Sequence, residues 1–179
     1  MKTERLVLKP MSHDDFELFV RDLLTDPKVV EHYHSYHGLF DLQMIRVRAE
    51  KDFWDHFEES RAKTGLEIWS VFETYGPPTP ESFIGWAGLI HTELSDEYGG
   101  PELQYMLTSR VFGRGLATEA AAQVMQDAIK RRLTPTVIAT VDKPNKGSIR
   151  VLEKLGFEFV DQIYAYESPD MQLYKYEIS

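Results

Sequence analysis

Two glycines, Gly113 and Gly115, stand two residues apart between a segment that reads as a strand, residues 102–108, and an alanine-rich segment that reads as a helix, residues 116–131. Glycine reaches backbone conformations with positive φ, so such a pair can aim successive N–H groups outward at an anion. The partial positive charge of the first helical turn adds to that attraction. The feature predicts a strand, a phosphate-binding turn and a helix in direct succession.

The turn has the pattern Arg-x-x-Gly-x-Gly, which begins at Arg110. Taken alone, this short pattern also fits an ordinary connection between a strand and a helix. The strand and helix patterns on either side favour the phosphate-binding interpretation. A Rossmann dinucleotide site is disfavoured, because no third glycine follows at the required spacing and the preceding segments resemble a hairpin.

Strand and helix patterns follow one another in the order β-α-α-β-β-β-α-β-α-β-β. These patterns, with a length of 179 residues and 42% hydrophobic residues, predict one mixed α/β domain over residues 1–179. We expect a central, twisted and mostly antiparallel sheet of six to seven strands, flanked by about four helices. The predicted strands are residues 4–9, 66–75, 82–91, 102–108, 136–141, 157–165 and 171–178, and the main helices are residues 12–24, 41–64, 116–131 and 147–155.

Composition excludes several kinds of protein. The chain has no cysteine, which rules out disulfides, thiolate metal sites and a cysteine nucleophile. A formal net charge of −9 argues against nucleic-acid binding and mildly favours a cationic substrate. The sequence lacks an apolar run of membrane-spanning length and an evident secretory signal, so we expect no membrane association and a cytoplasmic location.

Further blocks of sequence accompany the glycine turn in a fixed order. Together they resemble the GCN5-related N-acetyltransferases (GNAT), in particular the branch that contains the ribosomal-protein alanine N-acetyltransferases. The resemblance covers nearly the whole chain. Its blocks are TERLVLKP at residues 3–10, DPKVV at 26–30, FIGWAGL at 83–89, ELQYML at 102–107, GRGLATEA at 113–120 and NKGSIRVLEKLGF at 145–157.

The resemblance implies acetyl-CoA as the cosubstrate, without a metal. It also implies that strand 102–108 splays from strand 136–141 and leaves a wedge for the pantetheine arm. One backbone N–H in the wedge would polarise the thioester carbonyl, and an amine would attack it directly in a ternary complex. The cofactor-binding residues implied are Met106, Leu107, Thr108, Arg110, Phe112, Gly113, Arg114, Gly115, Leu116, Ala117, Asn145 and Ser148.

Two catalytic residues are implied, and each has a structural alternative. Many family members carry a tyrosine that protonates the leaving thiolate, but this chain has Leu152 at that position. Ser148 is therefore the candidate to contact the CoA sulfur, directly or through water; alternatively it satisfies a backbone N–H at the start of a helix. Glu102 is the candidate to order a water that takes the amine proton; alternatively it is an exposed charge at a strand end.

The segment 32–37 has the most unusual local composition of the chain, with three histidines and two tyrosines. By family topology it lies at the acceptor site, where Tyr33, His34 and His37 would recognise or deprotonate an amine. A metal site and a plain surface loop are the alternatives, of which metal binding is disfavoured. Trp86 and Tyr105 are further candidates for the acceptor wall, with core packing as their alternative.

The sequence thus predicts an N-acetyltransferase whose acceptor is a protein N-terminus or a small amine, acting as a monomer or a homodimer. One alternative is a non-catalytic acyl-CoA-binding module of the same fold, which the missing tyrosine keeps open. Another is a structural protein that reuses the fold, for which CoA would not shift the melting temperature.

Overall fold

The computed structural model describes residues 1–33, 36, 41–74 and 76–178. The strands are β1 (Leu6–Pro10), β2 (Ile68–Glu73), β3 (Phe83–Ile90), β4 (Glu102–Leu107), β5 (Thr136–Asp142), β6 (Glu158–Ala165) and β7 (Ser168–Glu177). The helices are α1 (His13–Asp22), α2 (Pro27–Val30), α3 (Leu42–Ala49), α4 (His56–Thr64), α5 (Glu93–Tyr98), α6 (Leu116–Arg131) and α7 (Lys146–Leu155). None of these described helices is both long and apolar enough to cross a membrane.

The described strands form one seven-stranded sheet in the order β1-β2-β3-β4-β5-β7-β6. Every neighbouring pair is antiparallel except β4 and β5, which run parallel. The predicted mixed α/β fold with a mostly antiparallel sheet is confirmed. The parallel pair lies in the middle of the sheet, so any defect in its pairing opens the centre of the domain.

Helices cover both faces of the sheet and bury a separate hydrophobic cluster on each. On the first, which we call the α6 face, Leu116 and Ala120 of α6 pack with Ala87 and Leu107 of the sheet. On the second, the α1 face, Phe16 and Phe19 of α1 pack with Trp86 and Met106. Successive strand residues point to opposite faces, so β3 and β4 contribute alternately to the two clusters.

The predicted helix 41–64 is present, but it is not uniform. Asp41 caps its start by accepting a hydrogen bond from the Met44 N–H at 2.9 Å, and Gly65 ends it in the left-handed conformation. Between α3 and α4 the chain forms a π-helical segment, Glu50–Asp55. Since α3, this segment and α4 are continuous, the described chain has the four main helices expected, with α2 and α5 as short additions.

Two local predictions are wrong. No helix was predicted between strands 82–91 and 102–108, but residues 92–101 contain α5, which a capping box between Thr92 and Ser95 begins. Between the predicted strands 157–165 and 171–178, Pro169 and Asp170 favour a hairpin turn at residues 167–170. Instead Tyr166 and Glu167 form the turn, with φ of 51° and 62°, and Ala165 pairs with Ser168. A tyrosine at positive φ is unusual, and here it directs the ring toward the centre of the sheet.

Candidate active site

The sheet opens between β4 and β5. Over the residues described, the two strands share one register position, where Glu102 is opposite Ile138, and the Ile138 N–H donates to the Pro101 carbonyl at 3.0 Å. Beyond this point their backbones diverge. The splayed pair that the sequence resemblance implied is therefore present, and it leaves a gap that runs through the sheet.

The register of β4 decides which backbone groups face this gap. The Thr108 N–H donates to the Ile84 carbonyl at 2.8 Å, so it points toward β3. Because backbone direction alternates along a strand, the Met106 N–H and C=O also point toward β3, while those of Leu107 and Tyr105 face the gap. The predicted contacts of Met106, Leu107 and Thr108 with the pantetheine arm stay a prediction, and the register favours the gap-facing backbone groups of Leu107 and Tyr105.

The gap widens into a cavity of about 380 Å³ that reaches both faces of the sheet. Its described lining includes three carboxylates, from Asp52, Glu102 and Asp142, and one imidazole, from His32, but neither lysine nor arginine. The remaining lining is mostly aromatic and aliphatic. The residues are Phe19, His32, Tyr33, Tyr36, Asp52, Phe53, Trp86, Glu102, Leu103, Gln104, Tyr105, Met106, Ala139, Thr140, Val141, Asp142, Asn145, Ser148, Leu152, Tyr166 and Met171.

Glu102 is the centre of the polar network in this cavity. It is 1% exposed, and uncharged side chains donate to both of its oxygens. Oε1 accepts from Thr140 at 2.5 Å, and Oε2 accepts from Thr92 at 3.2 Å, Gln104 at 3.0 Å and Tyr166 at 2.5 Å. Burial, and then the neighbouring Glu102 charge, raise the pKa of Tyr166, so its hydroxyl keeps the proton that it donates. The network holds a buried negative charge without a cationic partner among the described residues.

A second polar pair lies in the same cavity at the end of β5. The His32 Nδ1 is 3.0 Å from Oδ2 of Asp142, with the two side chains 22% and 7% exposed. The Ser168 hydroxyl donates to the other Asp142 oxygen at 3.4 Å. A carboxylate bonded to one imidazole nitrogen fixes the tautomer and the orientation of the ring.

Aromatic rings form the wall on the α1 face. The Phe53 ring, which the π-helical segment carries into the cavity, lies 4.8 Å from the Trp86 ring and 4.6 Å from the Phe19 ring between centroids. Trp86 is 2% exposed, and its buried indole N–H has no hydrogen-bond partner among the described residues. Trp86 thus packs in the core and also lines the cavity, while its contact with an acceptor stays a prediction. Burial raises the pKa of Tyr33, another ring of this wall.

The α6 face of the cavity brings together three residues that the sequence singled out. The Asn145 side chain caps α7 by accepting from the Ser148 N–H at 3.0 Å. The Tyr105 hydroxyl donates to the Ser148 carbonyl at 3.3 Å, and burial raises the pKa of Tyr105 to about 12. Since Asn145 supplies the cap, the Ser148 hydroxyl is not needed for it. Leu152, at the position where the sequence resemblance led us to look for a tyrosine, also lines the cavity.

The glycine turn leads from β4 into α6. Gly113 and Gly115 both have φ of 76°, and Gly115 is the N-cap of α6, with no side-chain cap. The first N–H groups of a helix lack an intrahelical acceptor, so those of Leu116, Ala117 and Thr118 remain available to a ligand. This end of α6 can therefore bind an anion.

Three arginines in and near the glycine turn form contacts with protein atoms. Arg114 forms an ion pair with Glu73 at 2.7 Å, and Arg110 donates to the Phe83 carbonyl at 2.5 Å. Arg5 of the N-terminal segment donates to the Arg114 carbonyl at 2.9 Å. Contacts of Arg110, Arg114 and the exposed Phe112 with a phosphate stay a prediction, because the two guanidinium groups here face protein atoms.

The model of the acetyltransferase (GNAT) domain family matches residues 5–158 of this chain. The chain belongs to the GNAT family. Its resemblance to GNAT proteins, inferred above from blocks of sequence, is confirmed.

Individual GNAT proteins and related chains match over most of their length. The protein YkkB of Bacillus subtilis strain 168 is 27% identical over 168 residues, 93% of this chain and 90% of YkkB. The crystal structure of an acetyltransferase from Agrobacterium tumefaciens strain C58 is 25% identical, with a TM-score of 0.75 over 99% of this chain and 93% of that one. RimL, a ribosomal L7/L12 α-N-protein acetyltransferase solved with CoA, is 12% identical, with a TM-score of 0.73 over 98% and 96%, which shows the shared fold.

Two residues of the predicted acceptor site, His34 and His37, lie outside the described residues of this GNAT domain. Tyr33, Trp86 and Tyr105 line the cavity, as do Glu102 and Ser148. Among the described residues no three metal-ligating side chains cluster.

Several cavity residues were missed. They are His32, Tyr36, Asp52, Thr140, Asp142 and Tyr166. Only His32 and Tyr36 carried a signal in the sequence, through the unusual composition of their segment, since nothing local marks the others as partners of the site.

Proposed function

We propose that this chain is an acetyl-CoA-dependent N-acetyltransferase that transfers the acetyl group directly to a primary amine in a ternary complex. The observation that carries the proposal is the gap between β4 and β5, through which one cavity reaches both faces of the sheet. An acyl donor on the α6 face and an amine on the α1 face can meet there without a covalent enzyme intermediate. The absence of cysteine agrees with direct transfer.

The α6 face fits the donor. The uncapped start of α6 and the turn at Gly113 and Gly115 would hold the pyrophosphate, as helix N-termini hold anions elsewhere. The gap-facing backbone groups of Tyr105 and Leu107 would hold the pantetheine arm, and one N–H of β4 would stabilise the negative charge that develops on the thioester oxygen. RimL, which shares the fold, was solved with CoA, which supports CoA as the donor.

The α1 face fits a positively charged acceptor. Glu102 supplies a buried negative charge, and its Oε1 accepts one described hydrogen bond, from Thr140. A carboxylate oxygen can accept a second donor, so an ammonium group or an ordered water can bind there. The rings of Tyr33 and Trp86 add faces that attract cations. This wall suits both acceptor classes expected from the sequence, a small amine and a protein N-terminus.

Ser148→Ala is expected to lower kcat about tenfold without abolishing transfer, because a thiolate is a fair leaving group even without a dedicated proton donor. The affinity for acetyl-CoA should stay near that of the wild type. Steady-state release of free thiol measures kcat, with Ser82→Ala, outside the cavity, as the control. An unchanged kcat would exclude a role of the Ser148 hydroxyl in the departure of the thiolate.

One observation favours a second candidate, a non-catalytic acyl-CoA-binding module. Leu152 lines the cavity at the position where the family resemblance implies a tyrosine proton donor. The discriminating experiment incubates the protein with acetyl-CoA and primary amines: propylamine, 1,4-diaminobutane and a peptide with N-terminal alanine. Thiol release together with an acetylated product in the mass spectrum supports the enzyme. Tight CoA binding without thiol release from any of these amines supports the module.

A further inference from the structure

The pair of His32 and Asp142 has no part in the roles assigned so far. The two residues are far apart in sequence, yet the imidazole and the carboxylate meet at 3.0 Å in the cavity wall. Asp142 is the last residue of β5, so the carboxylate is fixed by the sheet. His32 comes from the segment that follows α2, which lies over the α1 face.

The geometry leaves one ring nitrogen for a ligand. A carboxylate only accepts hydrogen bonds, so Nδ1 carries the proton that is shared with Asp142, and Nε2 then has the basic lone pair. None of the described residues hydrogen-bonds to Nε2 in this structure. An imidazole arranged in this way can act as a proton acceptor, as a carboxylate-oriented histidine does in other enzymes.

Glu102 was predicted to order a water that takes the amine proton, but its oxygens are already engaged in the structure. Three donors share its Oε2, and a fourth donates to Oε1. The protein itself therefore occupies most of the acceptor positions of this carboxylate. The other titratable groups that line the cavity with His32 are Tyr33, Tyr36, Asp52, Tyr105, Asp142 and Tyr166.

We propose that His32, oriented by Asp142, takes the proton from the acceptor ammonium, while Glu102 holds that ammonium in the cavity. This inference rests on the proposed transfer to an amine and assigns its proton acceptor. His32 is a catalytic residue in this scheme, and Asp142 is a positioning residue.

The protons and electrons of the reaction balance as follows. His32 Nε2 takes one proton from the ammonium group and leaves a neutral amine. The nitrogen lone pair forms a C–N bond to the thioester carbonyl carbon, the C–S bond breaks, and its electron pair leaves on sulfur. The remaining excess proton on nitrogen passes to the thiolate, and the imidazolium returns its proton to solvent. The products are an N-acetylated amine and free CoA.

His32→Ala tests the assignment with the amine that gives the highest wild-type rate. We expect kcat to fall about 100-fold, the usual contribution of general base catalysis, and to recover in part when imidazole is added to the assay. The matched control is His91→Ala, because His91 also contacts a carboxylate, Asp96 at 3.3 Å, but at the exposed surface outside the cavity. The control should keep the wild-type kcat and show no response to imidazole.

Asp142→Asn tests the positioning role. Loss of the charge removes the preference for the productive tautomer, so kcat should fall about tenfold or more while KM for the amine changes little. The melting temperature and the CoA affinity of both variants show whether the fold and the donor site are intact.

Several outcomes would overturn the inference without touching the proposed function. One is wild-type kcat in His32→Ala, and another is a loss that imidazole does not restore. A third is an effect of Asp142→Asn on KM alone. If the wild-type protein releases no thiol from any amine in the panel, the proposed function itself fails, which is a different result from a defective His32 variant.

Discussion

Replacing Gly113 by valine is expected to weaken CoA binding by about 10- to 100-fold. A Cβ at Gly113 meets no atom within 4 Å, so the effect does not come from a clash. It comes from φ, which is 76° and which a β-branched residue adopts only at a cost of about 1–3 kcal/mol. A valine would relax the turn toward negative φ and re-aim the N–H groups that are proposed to hold the pyrophosphate.

The chain offers a matched control in Gly65, which has φ of 69° and also has open space at its Cβ position. Gly65→Val should lower the melting temperature by a similar amount, since it places the same strain at the end of α4. It should leave CoA affinity unchanged, because it lies outside the turn. Isothermal titration calorimetry with CoA measures both variants. Equal CoA affinity in the two would refute the assignment of the turn.

Glu102→Ala is expected to lower the free energy of unfolding by about 3 kcal/mol and to abolish measurable transfer. Its four donors, from Thr92, Gln104, Thr140 and Tyr166, would lose their acceptor inside a buried site. Unsatisfied buried donors carry the full cost of desolvation, although the three hydroxyls can partly reorient. Urea denaturation measures the stability and thiol release measures the activity.

Glu102→Gln separates the charge from the hydrogen-bond network. The amide keeps the volume and one acceptor oxygen, so stability should fall by only about 1 kcal/mol. Without the negative charge, KM for the amine should rise at least about tenfold, because a buried charge pair is lost. Glu93→Gln, on the exposed side of α5, is the control. If Glu102→Gln retains the wild-type KM and kcat, the carboxylate serves the fold alone.

Features that depend on neighbouring residues could be predicted from the sequence. Ser12 and Asp41 begin helices where capping chemistry placed them, and Gly65 and Gly156 end helices in the left-handed conformation. The glycine turn also falls between a strand and a helix, as its pattern indicated. In the first two cases a side chain accepts a hydrogen bond from a backbone N–H a few residues away. In the others the missing Cβ of glycine permits a positive φ.

The polar centre of the cavity could not be predicted in this way, because its partners are distant in sequence. Tyr166 reaches Glu102 across 64 residues, and His32 reaches Asp142 across 110. The turn at Tyr166 was placed one to three residues too late, because Pro169 and Asp170 resemble turn residues more than a tyrosine does. Hydrophobic spacing finds elements and faces, but the orientation of a polar side chain depends on which strands become neighbours.

The shape of the α1 face also depends on the number of residues in the π-helical segment. A π-helical turn holds one more residue than an α-helical turn, so the segment Glu50–Asp55 shifts the angular position of everything before it relative to α4. Removing one residue there would allow a continuous α-helix and would rotate the Asp52 and Phe53 positions by about 100° about the axis. Chain length in this segment is therefore a means by which acceptor preference could diverge between relatives, or be changed by engineering, while the donor half of the domain is left intact.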